Sequence, residues 1–156
     1  LVLVWCLIGL TLIDCDHQLL PDDITLPMLW LGLAVNAVDL GMQVSITDAV
    51  IGAIAGYLVL WSFYWLFKLL TGKEGMGYGD FKLLAALGAW MGWQSLLPIV
   101  ILSSLVGAIV GLGMILIMGR DKSVPMPFGP YLAGAGYLML IWGPQINDFY
   151  FSTFVS

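Results

Sequence analysis

The sequence predicts an all-α, polytopic membrane protein with about six transmembrane helices. Of its 156 residues, 61% are hydrophobic and only 10% are charged, a balance that indicates an integral membrane protein. The apolar residues form runs separated by short polar or glycine-rich loops, and the longest runs lack the alternation of membrane β-barrel strands. We expect one transmembrane domain, residues 1–156, and the absence of a basic patch speaks against a nucleic-acid partner.

The first apolar run covers residues 1–13 and ends at Asp14. As a helix it would rise only about 20 Å, whereas the hydrocarbon core of a bilayer is about 30 Å thick. The chain also begins without Met or the basic start of a signal peptide. We therefore expect the first span to be truncated, with further residues before Leu1.

The second and third spans follow a polar turn at residues 14–23. The second covers about residues 25–38, with Pro27 in its first turn, where proline is tolerated. The third covers about residues 49–70, and Gly52 and Gly56 give it a face of small residues suited to close helix packing.

The last three spans cover about residues 80–93, 95–118 and 131–142. The fourth is short, and Trp90 and Trp93 suggest that its far end lies at a membrane interface. The fifth repeats the spacing of small residues at Ser103, Gly107 and Gly111. A mixed polar and aromatic tail follows the sixth.

The positions of the basic residues predict the orientation in the membrane. With six spans, all of them fall near loops on the same side, after the third or the fifth span: Lys68, Lys73, Lys82, Arg120 and Lys122. By the positive-inside rule that side is cytoplasmic. We expect four of these residues mainly to contact lipid head groups: Lys73, Lys82, Arg120 and Lys122. Seven of the ten acids lie on the same side: Asp14, Asp16, Asp22, Asp23, Glu74, Asp80 and Asp121.

A glycine-rich stretch at residues 72–82 interrupts the apolar sequence. Gly75, Gly77 and Gly79 allow positive φ angles and close approach of other groups. Asp80 stands where the next apolar run begins, so it is either a helix N-cap or a functional acid near the hydrocarbon region. The glycines do not form a phosphate-binding loop, because no β-strand precedes them and the required Gly-Lys-Ser/Thr is missing.

A second group of acids, in the turn after the first span, is predicted to lie at the same membrane face as Asp80. Two carboxylates that meet in a low dielectric share a proton, because both cannot ionise side by side. Aspartic proteases use such a pair to activate water and to polarise the peptide carbonyl. A proton- or ion-coupled transporter is the alternative, although it should carry acids in the middle of several spans. A non-catalytic membrane assembly factor is a third possibility.

Three separated motifs resemble the type IV prepilin peptidases, which are leader peptidases of pilus and type II secretion systems. Gly77-Tyr-Gly-Asp80 is the Gly-x-Gly-Asp signature of membrane aspartic proteases, and the longer string over residues 72–84 is also similar to this family. The other two motifs occur in the matching order: Ile13-Asp-Cys-Asp-His-Gln-Leu-Leu-Pro-Asp22 with Thr25-Leu-Pro27, and Pro127-Phe-Gly-Pro130.

The resemblance implies an endopeptidase with two catalytic aspartates. Asp80 matches one of them directly, with Gly77 and Gly79 shaping the site. For its partner we favour Asp14 over Asp16, because Asp14 follows the apolar run immediately and should be the more deeply buried. Asp22 and Asp23 are expected to cap the second span, and His17, a lone histidine in a polar turn, is not expected to be catalytic.

The resemblance also implies substrates and a location. The family cleaves short basic leaders from prepilin or pseudopilin precursors at the cytoplasmic face of the bacterial inner membrane, typically after a glycine. Many members also methylate the new N-terminus with S-adenosylmethionine and carry a zinc-binding Cys tetrad. This chain has only Cys6 and Cys15, so we expect no cofactor for the peptidase reaction. S-adenosylmethionine and zinc are expected only in the intact protein.

Overall fold

The computed structural model describes residues 1–40, 44–72, 77–119 and 128–155. These residues form six α-helices and no strand, which confirms the predicted all-α class. The helices are α1 (Val2–His17), α2 (Asp22–Ala37), α3 (Ile46–Thr71), α4 (Tyr78–Met91), α5 (Leu96–Met118) and α6 (Gly129–Phe154). A short 3₁₀ helix, Trp93–Ser95, connects α4 to α5.

Two stretches are long and apolar enough to cross a membrane by length and composition. They are Ile46–Thr71, which is α3, and Trp93–Met118, which contains α5. Both agree with a membrane protein, as the sequence predicts.

Helix α4 is at the centre of the bundle. It contacts α2, α3 and α6, and ten of its fourteen residues are buried. Glycines let α3 approach it closely, because a Cβ at Gly52 would overlap the carbonyl oxygen of Gly88 and a Cβ at Gly56 would lie 2.8 Å from that of Leu84. The small-residue face predicted for α3 is therefore the surface that packs on α4.

Polar contacts fix α2 against the last turn of α4. The side-chain amide of Asn36 donates to the carbonyl oxygen of Ala89 at 2.8 Å. The indole N–H of Trp90 donates to the carbonyl oxygen of Met28, also at 2.8 Å. The Trp90 ring also fills the space left by the missing side chain of Gly32. Trp90 therefore packs partly within the protein, whereas Trp93, at the same end of the bundle, is 46% exposed. The interface position expected for this end stays a prediction.

The sixth helix extends well beyond the predicted end at residue 142. Trp142 leaves helical geometry, with φ −115° and ψ 16°, and the chain then resumes the helix to Phe154. Pro144 lies two residues further on and has no N–H to donate to the preceding turn, which accounts for a kink at this point. The polar and aromatic tail expected after the sixth span is therefore mostly helical.

Candidate active site

Asp80 lies in the first turn of α4, although it is not the N-cap. The cap is Gly77, and Asp80 is the third helical residue after it. From that position its carboxylate interacts with the backbone N–H of Gly77, as an acid does in half of a capping box. Asp80 is only 6% exposed, so the helix start holds a buried acid in a fixed position.

Asp14 lies in the last turn of α1, so the helix continues past the predicted end of the first span. It is 4% exposed, and its carboxylate faces the start of α6. A Cβ at Gly129 would lie 2.5 Å from Oδ2 of Asp14, so only glycine leaves room for the carboxylate there. The backbone N–H of Gly129 interacts with this carboxylate, yet its Oδ2 is buried without a hydrogen-bond partner among the described residues.

Leu20, in the turn between α1 and α2, connects the two acids. A Cβ at Gly79 would lie 2.6 Å from Cβ of Leu20, and a Cβ at Gly129 would lie 3.2 Å from its Cδ1. The same buried leucine therefore packs against the residue before Asp80 and the residue in contact with Asp14. The two carboxylates are close enough for the charge of Asp14 to act on Asp80. The ends of α1, α4 and α6 thus meet around two buried acids.

Neither site glycine has a positive φ, and only Gly79 makes room for a neighbouring side chain. Gly77 has φ −83° and Gly79 is helical, so neither uses the conformational freedom that the sequence suggested. Gly79 is required by the close approach of Leu20, whereas a Cβ at Gly77 would meet nothing within 4 Å. Gly75, with Lys73 and Glu74, lies outside the described residues.

The other acids that the structure describes near this end are exposed. Asp16 projects from the last turn of α1 into the surroundings, and Asp22 and Asp23 lie in the first turn of α2 behind the N-cap Pro21. The expectation that Asp22 and Asp23 cap α2 is therefore wrong, because no side-chain cap bond forms there. Asp22 instead forms a 2.7 Å ion pair with Lys82 of α4, so Lys82 has a protein partner where a lipid head group was expected.

Aromatic rings hold the beginning of α4 against α3. The ring of Phe81, which is fully buried, meets those of Tyr57, Tyr64 and Tyr78 with centroids 5.4 to 5.8 Å apart and mostly edge to face. Such pairs add about 0.5–1.5 kcal/mol each beyond area burial. Because Phe81 is next to Asp80, this cluster also fixes the orientation of the acid.

Sequence reasoning did not single out two residues of the site, Leu20 and Gly129. Both occur inside motifs quoted above, Leu20 just before the Pro-Asp of the polar turn and Gly129 within Pro127-Phe-Gly-Pro130. Their position inside those motifs is the feature of the sequence that could have identified them as site residues. Their role depends on contacts between distant parts of the chain, which no local pattern reveals.

The described residues do not fit a zinc site. No group of three or more His, Cys, Asp or Glu side chains among them could hold a metal ion. Cys6 and Cys15 are both free thiols on α1. Arg120, Asp121 and Lys122 lie outside the described residues, as does Pro127.

Comparison with known proteins agrees with the family resemblance of the motifs. The model of the type IV leader peptidase family matches residues 1–112. The chain belongs to this family. No solved structure matches the chain.

Several relatives are similar over almost the whole chain. A prepilin leader peptidase/N-methyltransferase of Aeromonas salmonicida is 64% identical over 153 residues, which cover 98% of this chain and 52% of the relative. The proteins of the same name from Aeromonas hydrophila and Pseudomonas aeruginosa are 63% and 59% identical, over 99% and 96% of this chain and 53% and 51% of their own lengths. The chain thus spans about half the length of the curated relatives it matches.

Proposed function

We propose that this chain is the peptidase part of an aspartic endopeptidase that removes leader peptides from type IV prepilin-like precursors. Asp14 and Asp80 form its catalytic dyad. The observation that carries the proposal is that two acids 66 positions apart are both buried and share one site at the ends of α1 and α4. Burying two carboxylates close together is costly, so such a pair suggests a chemical role.

Burial also supports Asp14 rather than Asp16 as the partner of Asp80. Asp14 is buried and faces Gly129, whereas Asp16 is exposed. The unpartnered Oδ2 of Asp14 is an atom that could hold a proton or bind a water molecule. Both are requirements for acid–base catalysis by a carboxyl pair.

The proposed reaction divides two tasks between the acids. The ionised carboxylate takes a proton from water while the water oxygen attacks the scissile carbonyl carbon, and the protonated acid donates its proton to the carbonyl oxygen. When the C–N bond breaks, the proton taken from water passes to the leaving nitrogen, and one hydroxyl group of the tetrahedral intermediate returns its proton to the other carboxylate. The dyad then again holds one proton, and the products are a carboxylic acid and an amine.

The proposed orientation puts the dyad at the cytoplasmic face of the bacterial inner membrane. It follows from the one-sided distribution of the five basic residues. Lys68 lies in the last turn of α3 and Lys82 in α4, both near the end of the bundle that contains the dyad. Precursors of pili or type II secretion systems would be the partners, together with the lipid bilayer.

Methyl transfer is proposed for the intact protein only. The relatives are named N-methyltransferases as well as leader peptidases, and S-adenosylmethionine is the methyl donor that such an activity implies. The described residues provide no zinc site. The peptidase steps above require neither zinc nor S-adenosylmethionine.

The deciding experiment measures precursor cleavage by the intact protein in detergent. We expect Asp14→Asn and Asp80→Asn each to lower the rate by about a hundredfold to ten-thousandfold, because each removes an acid–base group. The matched control is Asp16→Asn, which removes an exposed acid two residues from Asp14 and should keep most of the activity. Thermal unfolding of each variant verifies that it is folded.

The outcomes separate the alternatives. If Asp16→Asn is inactive and Asp14→Asn is active, Asp16 replaces Asp14 in the dyad. If both Asp14→Asn and Asp80→Asn cleave normally, the chain is not an aspartic peptidase, and a transporter or an assembly factor remains. The structure favours neither of these: the acids of α2 and α3 lie in their first turns, α5 has none, and Asp148 of α6 is exposed.

A further inference from the structure

A cavity lies at the far end of the bundle, which we define as the end where α3 begins and α4 ends. Its volume is about 380 Å³. The first turn of α3, the α4–α5 connection and the kinked part of α6 enclose it. The break at Trp142 lies beside Gly143 and Pro144, which both line the cavity. It is at the opposite end of α4 from Asp80 and takes no part in the proposed peptidase reaction.

Four polar side chains line this cavity, those of Asp48, Gln94, Ser95 and Asn147, and two of them present acceptors to a ligand. Asp48 contributes a carboxylate, of which Oδ1 accepts the indole N–H of Trp93 at 3.0 Å. Asn147 contributes a side-chain oxygen that is buried and has no hydrogen-bond partner in the described part of the chain. A buried acceptor without a donor costs about 1–3 kcal/mol, so a ligand that brings donors is favoured here.

The described part of the chain does not supply a positive charge at this end. Its two basic side chains, Lys68 and Lys82, do not line the cavity and lie towards the end that holds Asp80. Among the described residues of the lining, Asp48 carries the one charged side chain. A ligand that complements this site therefore carries a cationic group with N–H donors.

Apart from Gln94 and Ser95, whose hydroxyl donates to the carbonyl oxygen of Met91, the remaining walls are apolar and suit hydrocarbon. Their larger side chains are Val44, Met91, Met139, Leu140 and Phe151. Trp93, at the rim, is exposed and its N–H is bound to Asp48, which is how Trp side chains often lie at a membrane–water interface. A ligand bound at such an interface would have its charged group near water and its apolar part beside the helices.

We propose that the far-end cavity binds the head group of an aminophospholipid. Its primary ammonium group donates to the carboxylate of Asp48 and to the side-chain oxygen of Asn147, and its acyl chains extend along α6. A charge-assisted hydrogen bond of this kind is about twice as strong as a neutral one. A choline head group has the same charge but no N–H, so the site should distinguish the two lipids.

Native mass spectrometry of the intact protein tests this proposal. The protein in detergent is titrated with phosphatidylethanolamine or with phosphatidylcholine of identical acyl chains. We expect the first phosphatidylethanolamine to bind about tenfold more tightly than phosphatidylcholine, the difference that a charge-assisted hydrogen bond provides. Equal affinities for the wild-type protein would overturn the proposal.

Two variants and a matched control locate the preference. Asp48→Asn preserves shape and an acceptor for Trp93, and it should reduce the tenfold preference to less than about threefold. Asn147→Leu removes the unpartnered oxygen at similar size and should act in the same direction. Asp39→Asn is the control, because Asp39 is an exposed acid at the same end and does not line the cavity. An unchanged preference in Asp48→Asn, or its loss in Asp39→Asn, would contradict the assignment.

A soluble competitor identifies the source of the ammonium group. Phosphoethanolamine has the same head group without acyl chains, and we expect it not to displace the lipid at tenfold molar excess. Displacement under these conditions would make the cavity a site for small soluble amines and would refute lipid binding. Because none of these measurements uses cleavage, their failure leaves the proposed Asp14–Asp80 dyad unaffected.

Discussion

Helices α4 and α5 are neighbours in sequence and both strongly apolar, yet they occupy opposite environments. In α4, ten of fourteen residues are buried against α2, α3 and α6, whereas only four of the twenty-three residues of α5 are buried. Of these two helices, α5 is long and apolar enough to cross a membrane, and it is the less buried one. In a membrane protein the lipid-facing surface is as apolar as the core, so composition cannot distinguish them.

Position explains why α4 carries Asp80. A short helix surrounded by three others holds its first turn with packing from several sides, including the ring cluster around Phe81. An acid on such a helix is fixed and shielded from water at low conformational cost. The same acid on α5 would face lipid along most of the helix, with no protein group to meet it.

The largest expected difference between the two helices comes from glycine substitutions. Gly88→Leu should destabilise the protein by more than about 3 kcal/mol or prevent folding, because a side chain there overlaps the backbone of Gly52 and forces α3 from α4. Gly113→Leu in α5 should change stability by less than about 1 kcal/mol, since a Cβ there meets nothing within 4 Å. Unfolding by denaturing detergent measures both. Equal effects would mean that α4 is not the packing centre.

Leucine truncations should show a smaller difference. Leu84 is fully buried and Leu105 of α5 is 56% exposed. Leu84→Ala should cost about 2 kcal/mol, at the low end of the range for buried leucines, because packing is lost without a strong hydrophobic contribution in the bilayer. Leu105→Ala should cost a few tenths of a kcal/mol. The denaturation midpoints of the two variants, compared in one lipid mixture, test this ordering.

The smallest effect is expected at the partly exposed end of α4. Lys82→Met removes the ion pair with Asp22, which links α4 to the start of α2. Since exposed pairs contribute little, stability should fall by about 0.5 kcal/mol or less, and Asp22→Asn should have the same effect. The double variant should then lose no more than either single variant. A loss above about 2 kcal/mol would show that this contact matters as much as the core of α4.

Much of the fold and site could be predicted from the sequence. Apolar runs between polar turns predicted six helices, and the small-residue face of α3 correctly predicted close packing. The three motifs that resemble prepilin peptidases led to the family, which residues 1–112 match. These features depend on local composition, spacing and residue identity, so a linear reading can detect them.

Other features depended on contacts between distant residues. The sequence interpretation placed Asp22 at a cap, although it pairs with Lys82 sixty positions away. It did not predict the contacts of Trp90, whose ring fills the space beside Gly32 and whose N–H donates to the carbonyl oxygen of Met28. It ended the last helix at residue 142, whereas helical hydrogen bonding resumes after the kink.

The sequence alone determined the class of the protein, the number of helices and two groups of acids, because each follows from which residues are adjacent in the chain. Only the tertiary structure decided which acid of the first group lies inside. Two residues correspond to about half a helical turn, so Asp14 lies on the buried, Gly129-facing side of α1 and Asp16 on its exposed side. The approach of α6 and the turn at Leu20 create that difference in burial, and both are long-range contacts.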